Sequence, residues 1–430
     1  MKKLLFLLAT ILFTNCRKEP EVSPATPSTT IVVNERTALN SLLTPLKKQP
    51  LDLEDQDLKI FDNLKNVPII GLGEATHGTK EFFEMKHRLF KYFVENFNHR
   101  IFAFEMDYGE SLIFDEYVQT GKGDLVQLMK DKMYFWTWNT VEVKNLLEWM
   151  KNYNQTKSPS ERVHIYGIDC QTFKYNVPEL LKRINLVTPS LNNNLTNLIG
   201  KLSTVSSGYK GEFHDNVVEA KQLILKNKNL IISKSSLQEY SIIEHLADII
   251  LQTDVSETDF ASNSYSSLRD EYMADNVVWL SEQSAFPLSI WAHNRHVHVA
   301  NEKNYMGTAL SQKYQEKYQT VGFSFANGTV TARNLTDGKL MYNKFPESVS
   351  TDYINQLFSQ ASSPNFVVKM KDVFSNDLLN AYFSKRPFYQ IGSGFSDQFK
   401  ASNFTTLKAY NFTYLVHINT STHSDCYRIQ

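Results

Sequence analysis

Short apolar runs followed by ionisable residues recur along the chain. Four segments share this pattern: "VPIIGLGEATH" at 67–77, "RIFAFEMDYGE" at 100–110, "RVHIYGIDCQ" at 162–171 and "PLSIWAHNRHVH" at 287–298. Continuous apolar runs are typical of strands that are buried on both faces, and segments with helical periodicity separate them. The pattern predicts an α/β fold, in which a central, largely parallel sheet is flanked by helices.

The ionisable residues after these runs are expected to lie close together, because ligands bind beyond the carboxyl ends of parallel strands. A single strand that ends in an acid would be unremarkable, whereas four such strands indicate one shared site. The candidate residues are Glu74, His77, Glu105, Asp107, Asp169, His293 and His296. Asp107 and Asp169 also have a simpler interpretation, as N-caps of the helices that follow them.

The stretch "GLGEATHGTKEFFEMKH" at 71–87 is the most informative of these segments. Thr79 is a suitable N-cap and phenylalanines recur after it at helical spacing, so His77 is expected in a loop between strand and helix. Glu74, three residues before His77, can orient the imidazole and raise its basicity, as a general base requires. Spacing alone leaves open a surface capping cluster with no catalytic role.

Two other features of this stretch bear on a site. Its glycines, at positions 71, 73 and 78, would permit a tight turn and the close approach of a ligand to the backbone. Lys86 lies on the same helix face as Phe82 and Phe90, so it either points towards the site or is a surface lysine whose stem lies along apolar neighbours.

The composition changes between Asn176 and about Asp259, where runs such as "LQEYSIIEHLADIIL" predict helices. We expect a helical insertion at 176–259 that covers the active-site edge of the sheet, forms pocket wall and governs substrate choice. Strands are predicted again at "YQTVGFSFA", in a hairpin after its "NG", and near "FVVKM" and "FTYLVHI".

The overall composition is that of one large globular domain. The chain has 430 residues, of which 42% are apolar and 13% aromatic. A net charge of −1, with both signs interspersed, gives no electrostatic reason to expect nucleic acid as a partner. Cys16, Cys170 and Cys426 are too few for a disulfide scaffold or a structural zinc site, although Cys170 and Cys426 could pair in an oxidising compartment.

Five blocks, "GEATHGTKEF", "FAFEMD", "YGIDCQ", "RDEYMADN" and "WAHNRHVH", resemble in content and order those of the erythromycin esterase family. The resemblance runs from about Leu42 to about His417 and includes "MGTAL" at 306–310 and "IGSGF" at 391–395. It implies a metal-independent hydrolase without a serine nucleophile, in which the histidine of the GExxHG block activates water. No cofactor is predicted. By this match the catalytic residues are His77, Glu74, Glu105, Arg269 and His293. The positions of Lys86, Asp107, Asp169 and His296 in the sequence make them candidate supporting residues.

These residue types suit ester hydrolysis. The reaction requires a base that deprotonates water and donors aimed at the oxyanion that forms. His77 can serve as the base, and Arg269 with a protonated His293 can serve as donors, while Glu74 and Glu105 would hold the cations. The predicted substrate is a small-molecule ester or lactone, and macrolides, other lactones and acylated glycans all remain candidates.

The sequence leaves alternatives to hydrolysis by histidine-activated water. A serine hydrolase is disfavoured because no G-x-S-x-G occurs and "GFSFA" at 322–326 is predicted as a hairpin strand. A zinc hydrolase stays open, since His293, His296 and His298 lie near Asp169, although H-E-x-x-H is absent. Cell-envelope or exopolysaccharide processing is a further alternative, and so is ligand binding without turnover on the same fold.

The first thirty residues predict export. Two lysines and an apolar stretch from Leu4 to Phe13 precede Cys16, and this stretch is shorter than the roughly 20 residues that span a membrane. We predict a signal peptide at 1–15, with Cys16 resembling the lipidated residue of a bacterial lipoprotein. Residues 16–30 are rich in Pro, Ser and Thr and are expected to be a flexible tether. The hydrolase domain, 31–430, would then be held by a lipid anchor at a bacterial membrane, facing the periplasm or the cell surface.

Overall fold

The computed structural model describes residues 33–46, 56–205, 211–259, 265–301, 305–345, 353–396 and 403–429. The predicted signal peptide, Cys16 and the tether lie outside the described residues. The strands are β1 (Thr44–Pro45), β2 (Ile69–Leu72), β3 (Ile101–Asp107), β4 (His164–Asp169), β5 (Leu288–Trp291), β6 (Tyr318–Asn334), β7 (Leu340–Lys344), β8 (Asn365–Lys369), β9 (Phe388–Tyr389), β10 (Gly394–Phe395), β11 (Phe404–Thr405) and β12 (Tyr414–Ser421).

Helices occupy most of the chain between the strands. The α-helices are α1 (Val33–Leu42), α2 (Lys80–Phe97), α3 (Tyr108–Thr120), α4 (Leu125–Lys132), α5 (Val141–Gln155), α6 (Phe173–Val187), α7 (Pro189–Ile199), α8 (His214–Lys226), α9 (Lys228–Lys234), α10 (Leu237–Asp259), α11 (Tyr265–Gln283), α12 (Asn294–Val297), α13 (Met306–Tyr314), α14 (Ile354–Phe358), α15 (Met370–Ser375) and α16 (Asp377–Phe383). Short 3₁₀ helices lie at Gln56–Leu64, Trp136–Trp138, Pro159–Glu161, Gly200–Thr204 and Gln315–Lys317.

The main sheet has the strand order β1-β8-β12-β6-β2-β5-β3-β4. All neighbouring pairs from β12 to β4 are parallel. Strands β8 and β1 continue the sheet in antiparallel pairing. The predicted α/β fold with a largely parallel central sheet is therefore confirmed.

The inner strands are buried on both faces because their apolar side chains alternate between two clusters. On one side of the sheet lie Ile69, Ile101, Ala103, Leu288 and Ile290. On the other side lie Ile70, Leu72, Phe102, Phe104 and Trp291. Continuous apolar runs satisfy both clusters at once, which is why these strands could be found from the sequence.

The predicted hairpin at Asn327–Gly328 is wrong. Strand β6 continues through these residues to Asn334, and the chain turns back into β7 only after it. Gly328 has a φ of 114°, a conformation that favours glycine. It is held straight in the sheet because β12 pairs with β6 along this whole stretch, with Ser421 opposite Gly328.

Helices α6 to α10 account for the segment in which a helical insertion was predicted. Helix α10 packs against α6, α8 and α11, and α11 contacts β4, the strand at that end of the sheet. We call α6 to α10 the helical layer. Its predicted part in substrate choice remains a prediction.

Two features of the described residues bear on location and redox state. None of the helices there is both long enough and apolar enough to cross a bilayer. Cys170 and Cys426 are both buried and are not joined to each other, so the possible disulfide between them is not formed.

Candidate active site

The loops that follow β2, β3, β4 and β5 open at the same edge of the sheet, because these four strands are parallel neighbours. This edge brings together Glu74, His77, Lys86, Glu105, Asp169, Arg269, His293 and His296 in a connected set of contacts. The predicted clustering of these side chains is therefore present, and it includes Arg269, which arrives from α11.

Glu74 and His77 form the first part of the site. Nδ1 of His77 lies 2.6 Å from Oε1 of Glu74, and the other carboxylate oxygen accepts from Lys86 Nζ at 2.6 Å and Trp291 Nε1 at 2.8 Å. Glu74 is fully buried, whereas the side chain of His77 is 15% exposed. With Nδ1 engaged by the carboxylate, Nε2 is the imidazole nitrogen that can accept a proton from water.

Lys86 is an internal residue of the site and not a surface lysine. Its side chain is completely buried, and its ammonium group lies 4.5 Å from the centroid of the Trp291 ring. Burial lowers the pKa of Lys86 to about 8, although the carboxylates of Glu74 and Glu105 oppose this effect. A buried lysine keeps its charge here because Glu74 compensates it.

Glu105, near the end of β3, links the other charged residues. Its Oε1 lies 2.8 Å from Nη2 of Arg269 and 3.2 Å from Nε2 of His296, and its Oε2 accepts from the backbone N–H of His293 at 2.9 Å. Burial alone would raise the pKa of this carboxyl, but His296, Arg269 and His77 hold it well below its usual value. Glu105 is therefore an anion that positions residues from β5 and α11.

The ring of His293 is neutral, contrary to the protonated form that was expected. Burial lowers its pKa well below the usual value, and the neighbouring rings of His77 and His296 act in the same direction. Its Nε2 donates to the carbonyl of Ile391 at 2.9 Å, and its Nδ1 accepts from the N–H of Arg295 at 3.2 Å. These bonds use one donor and one acceptor, which is the capacity of a neutral imidazole.

His296 is the cationic histidine of the site. Burial lowers its pKa, but Asp270 and Glu105 outweigh burial and raise the pKa to about 10. Nδ1 of His296 lies 2.7 Å from Oδ1 of Asp270, and Nε2 faces Glu105. Both ring nitrogens therefore donate to carboxylates, and the positive charge expected on His293 resides on His296 instead.

Asp169 is a partner of Arg269 and not the cap of the helix that follows it. It accepts from Nε of Arg269 at 2.8 Å and from Nη2 at 2.6 Å, a bidentate arrangement. Thr172 occupies the N-cap of α6 and its own side chain makes the capping bond. Asp169 thus fixes the guanidinium plane beside Glu105.

Asp107 lies behind the site. It occupies the N-cap position of α3, yet its side chain makes no capping bond there. Instead, Oδ1 accepts from the N–H groups of Gln171 and Thr172 at 2.9 and 3.3 Å. Burial, Asp169 and Glu110 raise its pKa well above the usual value. Asp107 is therefore a structural link between β3 and α6 rather than a charged member of the site.

The glycines of the first loop accommodate the protein's own segments and not a ligand. A Cβ at position 73 would lie 2.2 Å from Oδ1 of Asn294, and one at position 78 would lie 1.9 Å from the carbonyl of Thr331. Neither residue has a positive φ. The close approach that these glycines permit is real, but it serves to pack α12 and β6 against the loop.

Several contributors were missed from the sequence. Asp270, which holds His296, follows Arg269 in the block "RDEYMADN" but was not among the predicted site residues. Trp291, which was also not predicted, donates to Glu74. Thr137 donates to the carbonyl of His77 at 2.7 Å, across 60 residues of sequence. No pattern in the sequence predicts that contact.

The residues considered for zinc do not converge. His293 bonds to backbone groups, His296 lies between two carboxylates, and His298 bonds through Nδ1 to the carbonyl of Arg295. Within the part of the chain that the structure describes, no group of three or more His, Cys, Asp or Glu side chains is arranged to hold a metal ion.

Ser324, the serine of "GFSFA", is not placed to act as a nucleophile. It lies in the middle of β6, is fully buried, and its Oγ is 2.8 Å from Nδ1 of His417 on β12. The serine-hydrolase alternative therefore has no support in the fold.

The family model for erythromycin esterase matches residues 94–420, well over half of the chain. The chain belongs to the erythromycin esterase family. The type II erythromycin esterase of Escherichia coli is 24% identical to it over 260 residues, which span 53% of this chain and 60% of that enzyme.

Two solved structures share the fold. One is a Bacillus cereus protein with a TM-score of 0.79 and 24% identity, over 92% of this chain and 99% of that one. The other is described as a succinoglycan biosynthesis protein, with a TM-score of 0.76 and 24% identity, over 91% of this chain and 98% of that one. The predicted membership of an erythromycin esterase-like hydrolase family is confirmed.

Proposed function

We propose that this protein hydrolyses a carboxylic ester by water that His77 activates. The observation that carries the proposal is the 2.6 Å contact between His77 and the fully buried Glu74. Glu74 sets the tautomer and stabilises the imidazolium that forms as His77 takes a proton from water at Nε2. The partly exposed ring is accessible to water, while the carboxylate behind it is not.

The positive groups beside His77 are suited to the second requirement, stabilisation of the oxyanion. Arg269 and the cationic His296 lie next to each other, with Glu105 and Asp169 fixing the guanidinium and Asp270 fixing the ring. Donors held in place before the reaction need no reorganisation as charge develops on the substrate. We assign this role to Arg269 and His296, in place of the protonated His293.

His293 is proposed as a positioning residue. Its ring centroid lies 5.1 Å from that of His77, and its bond to Ile391 ties the "IGSGF" block to the site. The N–H of Ile391 in turn donates to the carbonyl of Ala75 at 2.7 Å, in the loop that carries His77. Replacement of His293 is expected to reduce activity by moving that loop.

The substrate class is proposed from the relatives. The name of the Escherichia coli enzyme supports a macrolide lactone. The description of the second solved structure supports an acylated polysaccharide instead. Both are esters attacked by the same chemistry, so a panel of esters, lactones and acylated glycans with purified protein separates them. Ligand binding without turnover would give saturable binding and no product.

The first prediction tests the base. His77→Ala should lower kcat/KM by roughly 10³-fold, because removal of a general base typically costs about 10²–10⁴-fold. The melting temperature should change little, since the ring is partly exposed. The matched control is His214→Ala, which removes a histidine that also pairs with a carboxylate, that of Asp254, but lies in the helical layer. Retention of activity by His77→Ala, with a normal melting curve, would overturn the assignment.

A further inference from the structure

Four leucines of the helical layer are exposed at one corner of the protein. Leu186 ends α6 with 78% of its surface exposed, and Leu237 begins α10 with 65% exposed. Leu225 in the last turn of α8 is 43% exposed, and Leu230 in α9 is 41% exposed. Single exposed leucines are common on protein surfaces, but a group of them marks an interaction surface. We call these four residues the leucine corner.

Contacts between the helices bring together the segments that carry the four leucines. Arg183, near the end of α6, donates to both carboxylate oxygens of Glu239, in the first turn of α10, at 3.0 and 2.8 Å. Lys228, at the start of α9, lies 4.9 Å from the centroid of the Tyr240 ring on α10. The end of α6, the turn from α8 to α9 and the start of α10 therefore meet. Ile231 is buried beneath them, so α9 presents Leu230 outwards.

Lysines surround the leucine corner. Residues 220–238 contain Lys221, Lys226, Lys228 and Lys234 and no acidic residue, although Lys221 pairs with Asp248 of α10. Lys226, Lys228 and Lys234 are all exposed. The nearby acids Glu239 and Glu179 both pair with Arg183, and Glu179 also pairs with Lys182. The corner thus combines apolar tips with a surrounding group of ammonium ions.

We propose that the leucine corner docks on the surface of a bilayer that contains anionic phospholipids. Leucine tips can enter the boundary between headgroups and acyl chains, while the lysines meet the phosphates, as in helices that lie on membrane surfaces. A nucleic acid would satisfy the lysines but leave the leucines in water. The docking surface lies in the described residues and does not depend on lipidation of Cys16.

The experiment measures the environment of the leucine corner itself, because the apolar N-terminal stretch from Leu4 to Phe13 can bind vesicles independently of the corner. In a full-length chain with Cys16→Ser, Asn229→Cys provides an exposed thiol on α9 for an environment-sensitive fluorophore. Cys170 and Cys426 are buried and are not labelled. Vesicles of phosphatidylcholine with phosphatidylglycerol should shift the emission to the blue, and vesicles of phosphatidylcholine alone should not.

Two controls separate the lysines from the leucines. The triple variant Lys226→Gln, Lys228→Gln, Lys234→Gln should need on the order of 100-fold more anionic lipid for the same shift. Its melting temperature should match that of the parent chain. A fluorophore on Leu378→Cys should stay in water, because this residue is 48% exposed on α16, which packs with α15 at the β8 end of the sheet.

Three results would overturn the proposal. They are an unshifted probe at position 229 on anionic vesicles, an equal shift on phosphatidylcholine alone, and an unchanged response of the triple variant. A shift that appears without vesicles and grows with protein concentration would also overturn it, and would assign the corner to contact with a second copy of the chain.

Discussion

The carboxylate of Glu74 contacts three side chains, the ring of His77, the ammonium of Lys86 and the indole of Trp291. His77 lies in the loop before α2, Lys86 lies in α2 and Trp291 ends β5, yet the three side chains share one buried anion. Removal of Lys86 would leave this anion without its buried cation, and breaking a buried ion pair typically costs about 3–5 kcal/mol. Glu74 therefore couples the stability of this edge of the sheet to the orientation of the proposed base.

We expect Lys86 to set an alkaline limit on the proposed activity. Its pKa of about 8 lies below the usual 10.5, so Lys86 loses its proton while the rest of the protein is folded. We predict that kcat/KM falls above pH about 8, because Glu74 then lacks its cation. Lys86→Arg should remove this limb, since a guanidinium remains protonated. Rates measured on both proteins at pH values below and above the lowered pKa of Lys86 check this.

Deprotonation of Lys86 is expected to lower activity without unfolding the protein. Between about pH 8 and 10.5 the unfolded chain binds more protons at Lys86 than the folded one does. The contribution of this residue to the free energy of unfolding therefore rises with pH in that interval. A limb that persists unchanged in Lys86→Arg would show that another group titrates.

The sequence revealed some of these side chains and concealed others. Glu74 and His77 were found because three residues separate them in one loop, so their contact is local. Asp270 was missed because its partner, His296, is 26 residues away on another element. The charge state of His293 was predicted incorrectly, since it depends on burial and on His296, neither of which can be read from a linear motif.

The loop between β2 and α2 is held by three separate parts of the chain. The carbonyl of Gly78 accepts from the N–H groups of Thr331 and Ser424, and the carbonyl of Ala75 accepts from Ile391. Thr79 lies at the N-cap of α2 as predicted, but its hydroxyl contacts Thr76 instead of capping the helix. Tertiary contacts, more than local capping, therefore fix the position of His77.

Gly78 tests this arrangement. A Cβ at this position would meet the backbone of Thr331 at 1.9 Å, so Gly78→Ala must displace the loop. We expect a loss of about 1–3 kcal/mol in the free energy of unfolding. Activity should fall by roughly 10²-fold, since a misplacement of about 1 Å can cost that much. Chemical denaturation and steady-state kinetics measure the two effects.

Gly392→Ala is the matched control, because nothing lies within 4 Å of its added Cβ. Its stability should stay within about 0.5 kcal/mol of the parent protein. Equal stability and equal activity of Gly78→Ala and Gly392→Ala would mean that the contacts with Thr331, Ser424 and Ile391 do not fix the loop.

The positions of the strands were easier to predict from the sequence than the pairing between strands. The apolar runs at β2, β3, β4 and β5 indicated burial on both faces, and the runs later in the chain also formed strands. The hairpin at Asn327–Gly328 was predicted from a local turn signal. It fails because pairing with β12, some 90 residues later, keeps β6 extended through Gly328. Long-range pairing of this kind leaves no mark in a local pattern.

The proposed mechanism uses no metal ion. Activity should survive exhaustive treatment with EDTA, and the purified protein should carry no stoichiometric transition metal. Elemental analysis and assays before and after chelation test this. Loss of activity that zinc or manganese restores would favour the zinc alternative at His293, His296 and His298.

The prediction for Cys16 concerns where the protein resides. Two or more acyl chains on Cys16 would hold it on a membrane even after a high-salt wash, which removes electrostatic binding. Cys16→Ser should then appear in the soluble fraction after that wash, or remain as unprocessed precursor. A full-length protein that is soluble, with a mature N-terminus other than Cys16, would contradict the anchor. The proposed hydrolysis would be unaffected.

The hydrogen bond from Trp291 to Glu74 joins residues 217 positions apart, and β2 lies between β5 and β6 in the sheet. During synthesis, the segment with the proposed base therefore leaves the ribosome long before its neighbours exist. Closure of such long loops slows folding, and the apolar runs of β2 and β3 stay unpaired meanwhile. An incomplete chain cannot orient His77, so the proposed catalysis can begin only after Ser424, the last residue that holds this loop, has been translated.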